Sequence, residues 1–247
     1  MKNVLILILT CAFLLSCKKE QDRKCLKSTG SDGEKEIVLP SFNRLFLKEQ
    51  LAYVLVQDTV EKIVIKGGEN LLNFVDAKVS NGLLFIENKN KCNFLRTYKK
   101  VLTVEIHFVN LINIHYEGSE TLTNTGKLNL TWFTLAIEDG GGPVDLNFDA
   151  YSVFTIINNG WGDFTYRGTV DYARFEVRSN GYCNTYGLEV KDSISVISYT
   201  PAPLKINADG AKLKAEISWK GDIYYKGITD GSPILYDYNE GELIYVP

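Results

Sequence analysis

Histidine and methionine are nearly missing from this chain, with two His and one Met in 247 residues. The paired-imidazole spacings of zinc sites therefore have no material: there is no HExxH, and His107 and His115 each stand in a strand-like context. Cysteine is scarce too, and neither a CxxC nor a Cys/His spacing occurs, so no metal is assigned from sequence. There is no GxSxG elbow and no P-loop. Gly140-Gly141-Gly142 opens a strand-like stretch rather than a helix, which argues against a phosphate cradle. No basic block follows the N-terminus and the net charge is −3, which argues against nucleic acid as a partner. No cofactor is indicated.

What is present is β-rich. Fourteen Tyr and twelve Phe suit a secreted β protein better than a helical one, and 45% hydrophobic content is ample for a core in one or two domains. The stretch from Leu130 to Gly227 repeats about every twenty residues. Ile137, Ile157, Val177, Ile197 and Ile217 fall on one register, and Gly141, Trp161, Gly181, Pro201 and Gly221 follow each by four. Around them apolar and polar residues alternate: Val144, Leu146 and Phe148 with Asp145 and Asn147, then Phe164 and Tyr166, then Leu204 and Ile206. Period-two alternation broken by turn residues predicts strand, turn, strand in each beat. One beat cannot bury its apolar face; beats stacked at about 4.8 Å can. The expected fold is all-β, a β-solenoid resembling a right-handed parallel β-helix. The alternative is an antiparallel sheet of hairpins. Some residues break the columns. Asn184 and Lys226 fall at apolar positions, while Phe154, Ile156, Ile194 and Val196 are apolar on the parity expected to face outward.

Residues 1–17 read as a targeting segment. Lys2 supplies the positive start, Val4 to Leu9 with Ala12 to Leu15 form an apolar core too short for a membrane span, and Leu14-Leu15-Ser16-Cys17 looks like a bacterial lipobox. That resemblance implies cleavage before Cys17 and lipid attachment to it, hence a membrane partner. Several acyl chains, at about 0.8 kcal/mol per buried CH₂, give a stable anchor. Residues 18–36 read as a flexible tether. Its charged start resembles the surface-export signals of Bacteroidota lipoproteins, although it mixes Lys with Glu and Asp where those signals favour acidic runs. The expected address is the outer membrane, facing either the periplasm or the cell surface. Residues 37–115 are expected to form an N-terminal β region and 116–247 the solenoid, with strands at 44–47, 52–57, 62–66, 75–79, 83–88 and 101–108. Ser80-Asn81-Gly82 suits a tight hairpin, and only 70–74 reads as a helical turn.

Several pieces together resemble one family: Phe42-Asn43-Arg44-Leu45, Glu69-Asn70-Leu71-Leu72, the run from Val79 to Ile86, and Trp219-Lys220-Gly221-Asp222-Ile223-Tyr224-Tyr225-Lys226-Gly227. They are similar to the auto-transporter adhesin, head GIN domain family of Bacteroidota, over roughly residues 37–230. This chain departs from the family's frequent Gly-Ser-Gly in its middle beats. The resemblance implies an all-β, helix-like stack and a lipoprotein or exported protein, and it brings no catalytic residues.

Candidate chemistry is sparse. With Cys17 assigned to lipid, a Cys25–Cys92 disulfide is favoured, since both lie in polar, loop-like surroundings, with free thiols the alternative; Cys183 is left over. Asp149, Glu189 and Asp209 share a column, interrupted by Thr169, and are the residues that a carbohydrate-active β-helix enzyme would use. The stronger binding lead is aromatic: Trp161, Tyr182, Tyr199 and Trp219 lie in or beside the turn columns, where rings could stack on a glycan or anchor a protein ligand. The leading expectation is a lipid-anchored, non-enzymatic, adhesin-like or structural binding module, with the enzyme as the alternative. Oligomeric state is not legible.

Overall fold

The computed structural model describes residues 28–90 and 101–247. The targeting segment, lipidation of Cys17 and the Cys25–Cys92 pairing lie outside the described residues.

Strands make up most of the described chain. The first nine are β1 (Asp32–Val38), β2 (Arg44–Glu49), β3 (Leu51–Gln57), β4 (Lys62–Gly68), β5 (Val75–Ser80), β6 (Leu83–Asn88), β7 (Leu102–Phe108), β8 (Asn113–Gly118) and β9 (Leu122–Asn124). One turn of 3₁₀ helix, Leu72–Phe74, precedes β5. Then come four long circuits, β10 (Leu128–Ile137), β11 (Pro143–Ile157), β12 (Asp163–Arg178) and β13 (Tyr182–Tyr199). The chain closes with β14 (Leu204–Asn207), β15 (Lys212–Ile217), β16 (Ile223–Lys226), β17 (Ile234–Asp237) and β18 (Leu243–Val246). From β8 onward every pairing is parallel, rung on rung. The fold is a β-solenoid, as the twenty-residue repeat predicts.

The alternation creates two long faces. On one, β8 leads to the end of β10, the second halves of β11, β12 and β13, then β15 and β17. On the other, β9 leads to the first halves of β11, β12 and β13, then β14, β16 and β18. Inward positions meet in a continuous core, in which Phe133, Phe148, Tyr166, Phe164 and Phe175 pack at ring-centroid distances of 4.7–6.0 Å. Fully burying one such side chain stabilises by about 1.5–3 kcal/mol.

The parallel stack also includes strands from the N-terminal region, out of chain order. β2 and β3 lie on β8 and β9, with Arg44 opposite Asn113 and Tyr53 opposite Leu122. β6 and β7 lie on the outer side of β2 and β3, so the chain steps past its own rung and returns over it. β4 pairs antiparallel with β7, β1 with β4, and β5 with β6. These antiparallel strands cover the end of the stack, one way a sheet edge is protected. The β5–β6 turn is the expected hairpin: Asn81 (φ 50°) and Gly82 (φ 72°) both take the left-handed conformation that a two-residue turn requires.

The column through 137 needs one correction. Ile137, Ile157, Val177 and Ile217 are fully buried and in register, but Ser198, not Ile197, occupies the position between Val177 and Ile217. Two irregularities in the β12–β13 pairing change the offset from 19 residues (Thr165 opposite Asn184) to 20 (Arg167 opposite Gly187) and then 21 (Tyr172 opposite Ser193). Each extra residue reverses the facing of every later position in the strand. Ile194 and Val196 therefore face inward, and Ile197 is only half-buried. Offsets of 19 rather than 20 residues, with Phe164 opposite Cys183 and Ile206 opposite Tyr225, place Cys183 and Tyr225, not Asn184 and Lys226, in the inward columns. Phe154 does face outward, with the Arg174 guanidinium 5.5 Å from its ring centre.

Candidate functional site

The edge between the two long faces is built from stacked turns. Trp161 N–H donates to Gly140 O at 3.4 Å, Gly221 N–H to Thr200 O at 3.0 Å, and Gly241 N–H to Trp219 O at 3.2 Å, so each turn rests on the one before. All four sequence-predicted aromatics lie on this edge. Trp161 and Trp219 are within turns, 74% and 50% exposed. Tyr182 and Tyr199 begin and end β13, which makes one circuit and returns to the same edge. Tyr199 is clamped: the Arg178 guanidinium lies 5.7 Å from its ring centre and its hydroxyl donates to Glu216 at 3.2 Å. Burial is the main cause raising the Tyr182 phenol above its ordinary pKa. The ring-to-ring contacts of the described residues lie elsewhere, so the four form a dispersed row rather than a joined platform.

A joined platform exists on another edge, where each circuit bends back into the first face. Trp132, Tyr151 and Tyr172, one from each of β10, β11 and β12, form a continuous exposed ladder. Trp132 and Tyr151 meet edge-to-face at 4.9 Å, Tyr151 and Tyr172 at 5.2 Å. Their exposures are 59%, 42% and 37%. A polar rim borders the end of the ladder: Tyr172 donates to Asp192 Oδ2 at 3.5 Å, and Lys191 lies 3.8 Å from Asp171. The nearby Asp192 carboxylate is the main cause holding the Tyr172 phenol protonated above its ordinary pKa. The strict twenty-residue reading missed this ladder because its members are spaced by 19 and then 21 residues. Trp132 and Tyr172 both pair with Ser152, whereas Tyr151 sits one position off.

The acidic column has structural duties. Asp149 Oδ1 accepts the Thr169 N–H at 2.9 Å, and the same carboxylate is ion-paired with Lys127 at 3.1 Å. Asp209 Oδ1 accepts the Ile228 N–H at 2.9 Å. Both therefore tie one rung to the next, and Glu189 is simply exposed. A different set of donors converges on the outer side of the first face: His115, Glu117 and Glu138, whose ligand atoms all lie within 4.8 Å of one another. Cys183, the cysteine left over in sequence, is fully buried, and burial pushes its thiol up to about 12.

The model of the family "Putative auto-transporter adhesin, head GIN domain" matches residues 41–228. The chain belongs to the head GIN domain family. No curated protein matches it. Three solved structures of similar fold are two putative adhesins, from Bacteroides fragilis and Parabacteroides merdae, and a putative lipid binding protein from Parabacteroides distasonis. The first is 18% identical, with a TM-score of 0.77 over 87% of this chain and 97% of its own. The second is 18% identical, TM-score 0.63 over 90% and 99%. The third is 16% identical, TM-score 0.58 over 89% and 98%. At these identities the likeness is one of fold. The head GIN stack in this chain thus carries two aromatic edges, of which only the turn edge was legible as a twenty-residue column.

Proposed function

We propose that this head GIN protein is a non-enzymatic, adhesin-like binding module held to the outer membrane by lipid on Cys17, and that it engages glycans through the Trp132–Tyr151–Tyr172 ladder. The observation that carries the reading is the ladder itself: three contiguous aromatic rings kept in water on a rigid stack, bordered by carboxylates and a lysine. Ring faces of this kind supply stacking surface, and the rim supplies partners for hydroxyl groups. Family membership supports the adhesin-like assignment, as do the adhesin names of the neighbours. The engagement of Asp149 and Asp209 in backbone hydrogen bonds weighs against hydrolysis or elimination at the acidic column. The turn-edge aromatics Trp161, Tyr182, Tyr199 and Trp219 form a secondary surface for a longer glycan or a protein ligand.

The test is a glycan array with the soluble chain beginning at Lys18, followed by titration of each hit. Saturable binding without turnover is expected. Polysaccharide turnover that disappears on changing Asp149, Glu189 or Asp209 would instead establish the enzyme.

A further inference from the structure

We infer that His115, Glu117 and Glu138 form a binding site for a divalent transition-metal ion of the zinc class. β8 supplies His115 and Glu117, which share its outer side because they are two residues apart. Glu138 comes directly after the last residue of β10, and its N–H donates to Tyr116 O at 2.9 Å, which seats it beside Glu117 one rung along. The sequence hides this group, since its third member comes from the next rung, 21 residues beyond the second.

The geometry is close to that of a coordination shell. His115 Nε2 is 2.7 Å from Glu117 Oε1 and 3.9 Å from Glu138 Oε2. Ligand atoms held about 2.0–2.1 Å from a tetrahedral zinc lie about 3.3 Å apart, midway between those separations, so small side-chain rotations suffice. The donors are also oriented from behind. The imidazole stacks on Phe46, centroids 4.7 Å apart and planes at 13°, which fixes its plane. Asn158 donates its amide to Glu138 Oε1 at 2.5 Å, leaving Oε2 as the oxygen nearer the imidazole. Partners of this kind conventionally orient metal ligands.

Charge points the same way. Glu117 and Glu138 are neighbours across a ladder, an unfavourable placement for like charges. Among the described residues neither has a lysine or arginine partner; His115 is the only basic group within ion-pair reach. Lys48 precedes Glu117 in the same column but lies 5.2 Å from the centre of the Phe46 ring. A divalent cation supplies the missing charge. One imidazole nitrogen with two carboxylates suits zinc or its first-row neighbours, whereas calcium and magnesium prefer all-oxygen shells. The three side chains are 26%, 28% and 33% exposed, so the ion keeps positions open to water or to an oxygen donor on a bound partner.

The experiment is calorimetric titration of ZnCl₂ into the soluble chain beginning at Lys18, which keeps every described strand, with Cys25 and Cys92 changed to Ser to remove competing thiols. The expected result is one ion per chain, a rise in melting temperature with zinc, and reversal by chelator. His115→Ala and Glu138→Gln should abolish saturable binding and the thermal shift while their zinc-free melting curves remain cooperative. Asn158→Ala should weaken binding by about 10-fold or more, the usual range for an orienting partner. No saturable binding by the parent chain, or equal binding in His115→Ala, would overturn the assignment.

Discussion

At the residue scale, the informative groups are buried polar ones. Tyr166 is fully buried and its hydroxyl shares a 2.8 Å hydrogen bond with Thr155, also buried. Tyr166→Phe should cost about 1–3 kcal/mol by leaving the Thr155 hydroxyl unpaired, and adding Thr155→Val should recover much of that loss in a double-mutant cycle read by denaturant unfolding. Ser198 presents the opposite case, since its Oγ is buried with no hydrogen-bond partner among the described residues. Ser198→Ala should raise stability by about 1 kcal/mol, because it removes a hydroxyl buried without compensation. Cys183 gives a pH prediction. Burial raises its thiol from 9.0 to about 12 in the folded state. The folded state therefore keeps the proton that the unfolded chain releases, so this contribution is fully present below pH 9.0 and is lost as pH rises through about 12. At neutral pH the Cys183 peptide should resist alkylation in the native protein and react on unfolding, as read by mass spectrometry.

At the scale of the element, the rung is the unit. Val177→Asp places an unpaired charge in a dry column and should exceed 4 kcal/mol, roughly the exceptional range for single substitutions, whereas Arg174→Asp on the outer side should cost far less. Gly168→Ala should also be severe. Gly168 holds φ +114° and a Cβ there would come within 1.9 Å of Phe148 O, so the corner of the rung admits no side chain. Much of this was legible in the chain, since the β5–β6 hairpin and the aliphatic column through 137, 157, 177 and 217 arise from turn chemistry and alternation. What was not legible depends on where a circuit gains or loses one residue. The irregularities in β13 exchange Ile197 for Ser198, and the corner at Tyr151 hides the aromatic ladder behind spacings of 19 and 21. A bulge leaves no reliable mark in composition, yet it reverses every facing after it. The insertion of β2 between β6 and β8, and of β3 between β7 and β9, was hidden for another reason: pairing across 51 or 69 residues, as in Leu51 with Leu102 and Tyr53 with Leu122, is set by packing and not by local pattern.

At the scale of the whole molecule, the β-solenoid carries an exposed aromatic edge, which we propose faces glycans on a protein held to the membrane by lipid on Cys17. Cys17→Ser should shift the protein from the membrane to the soluble fraction or leave its signal unprocessed, which fractionation and intact mass would read. Added protease should digest the wild-type protein on intact cells if the edge is displayed outward. The most direct measurement is the affinity of the soluble chain for its best glycan hit, compared between wild type and the Trp132→Ala, Tyr151→Ala, Tyr172→Ala triple variant. Truncating central aromatic anchors costs about 2 kcal/mol or more each where they are hot spots. The triple variant should fold with an unchanged melting profile and lose saturable binding. Undiminished affinity in that variant, or consumption of the glycan by the wild-type protein, would contradict the account.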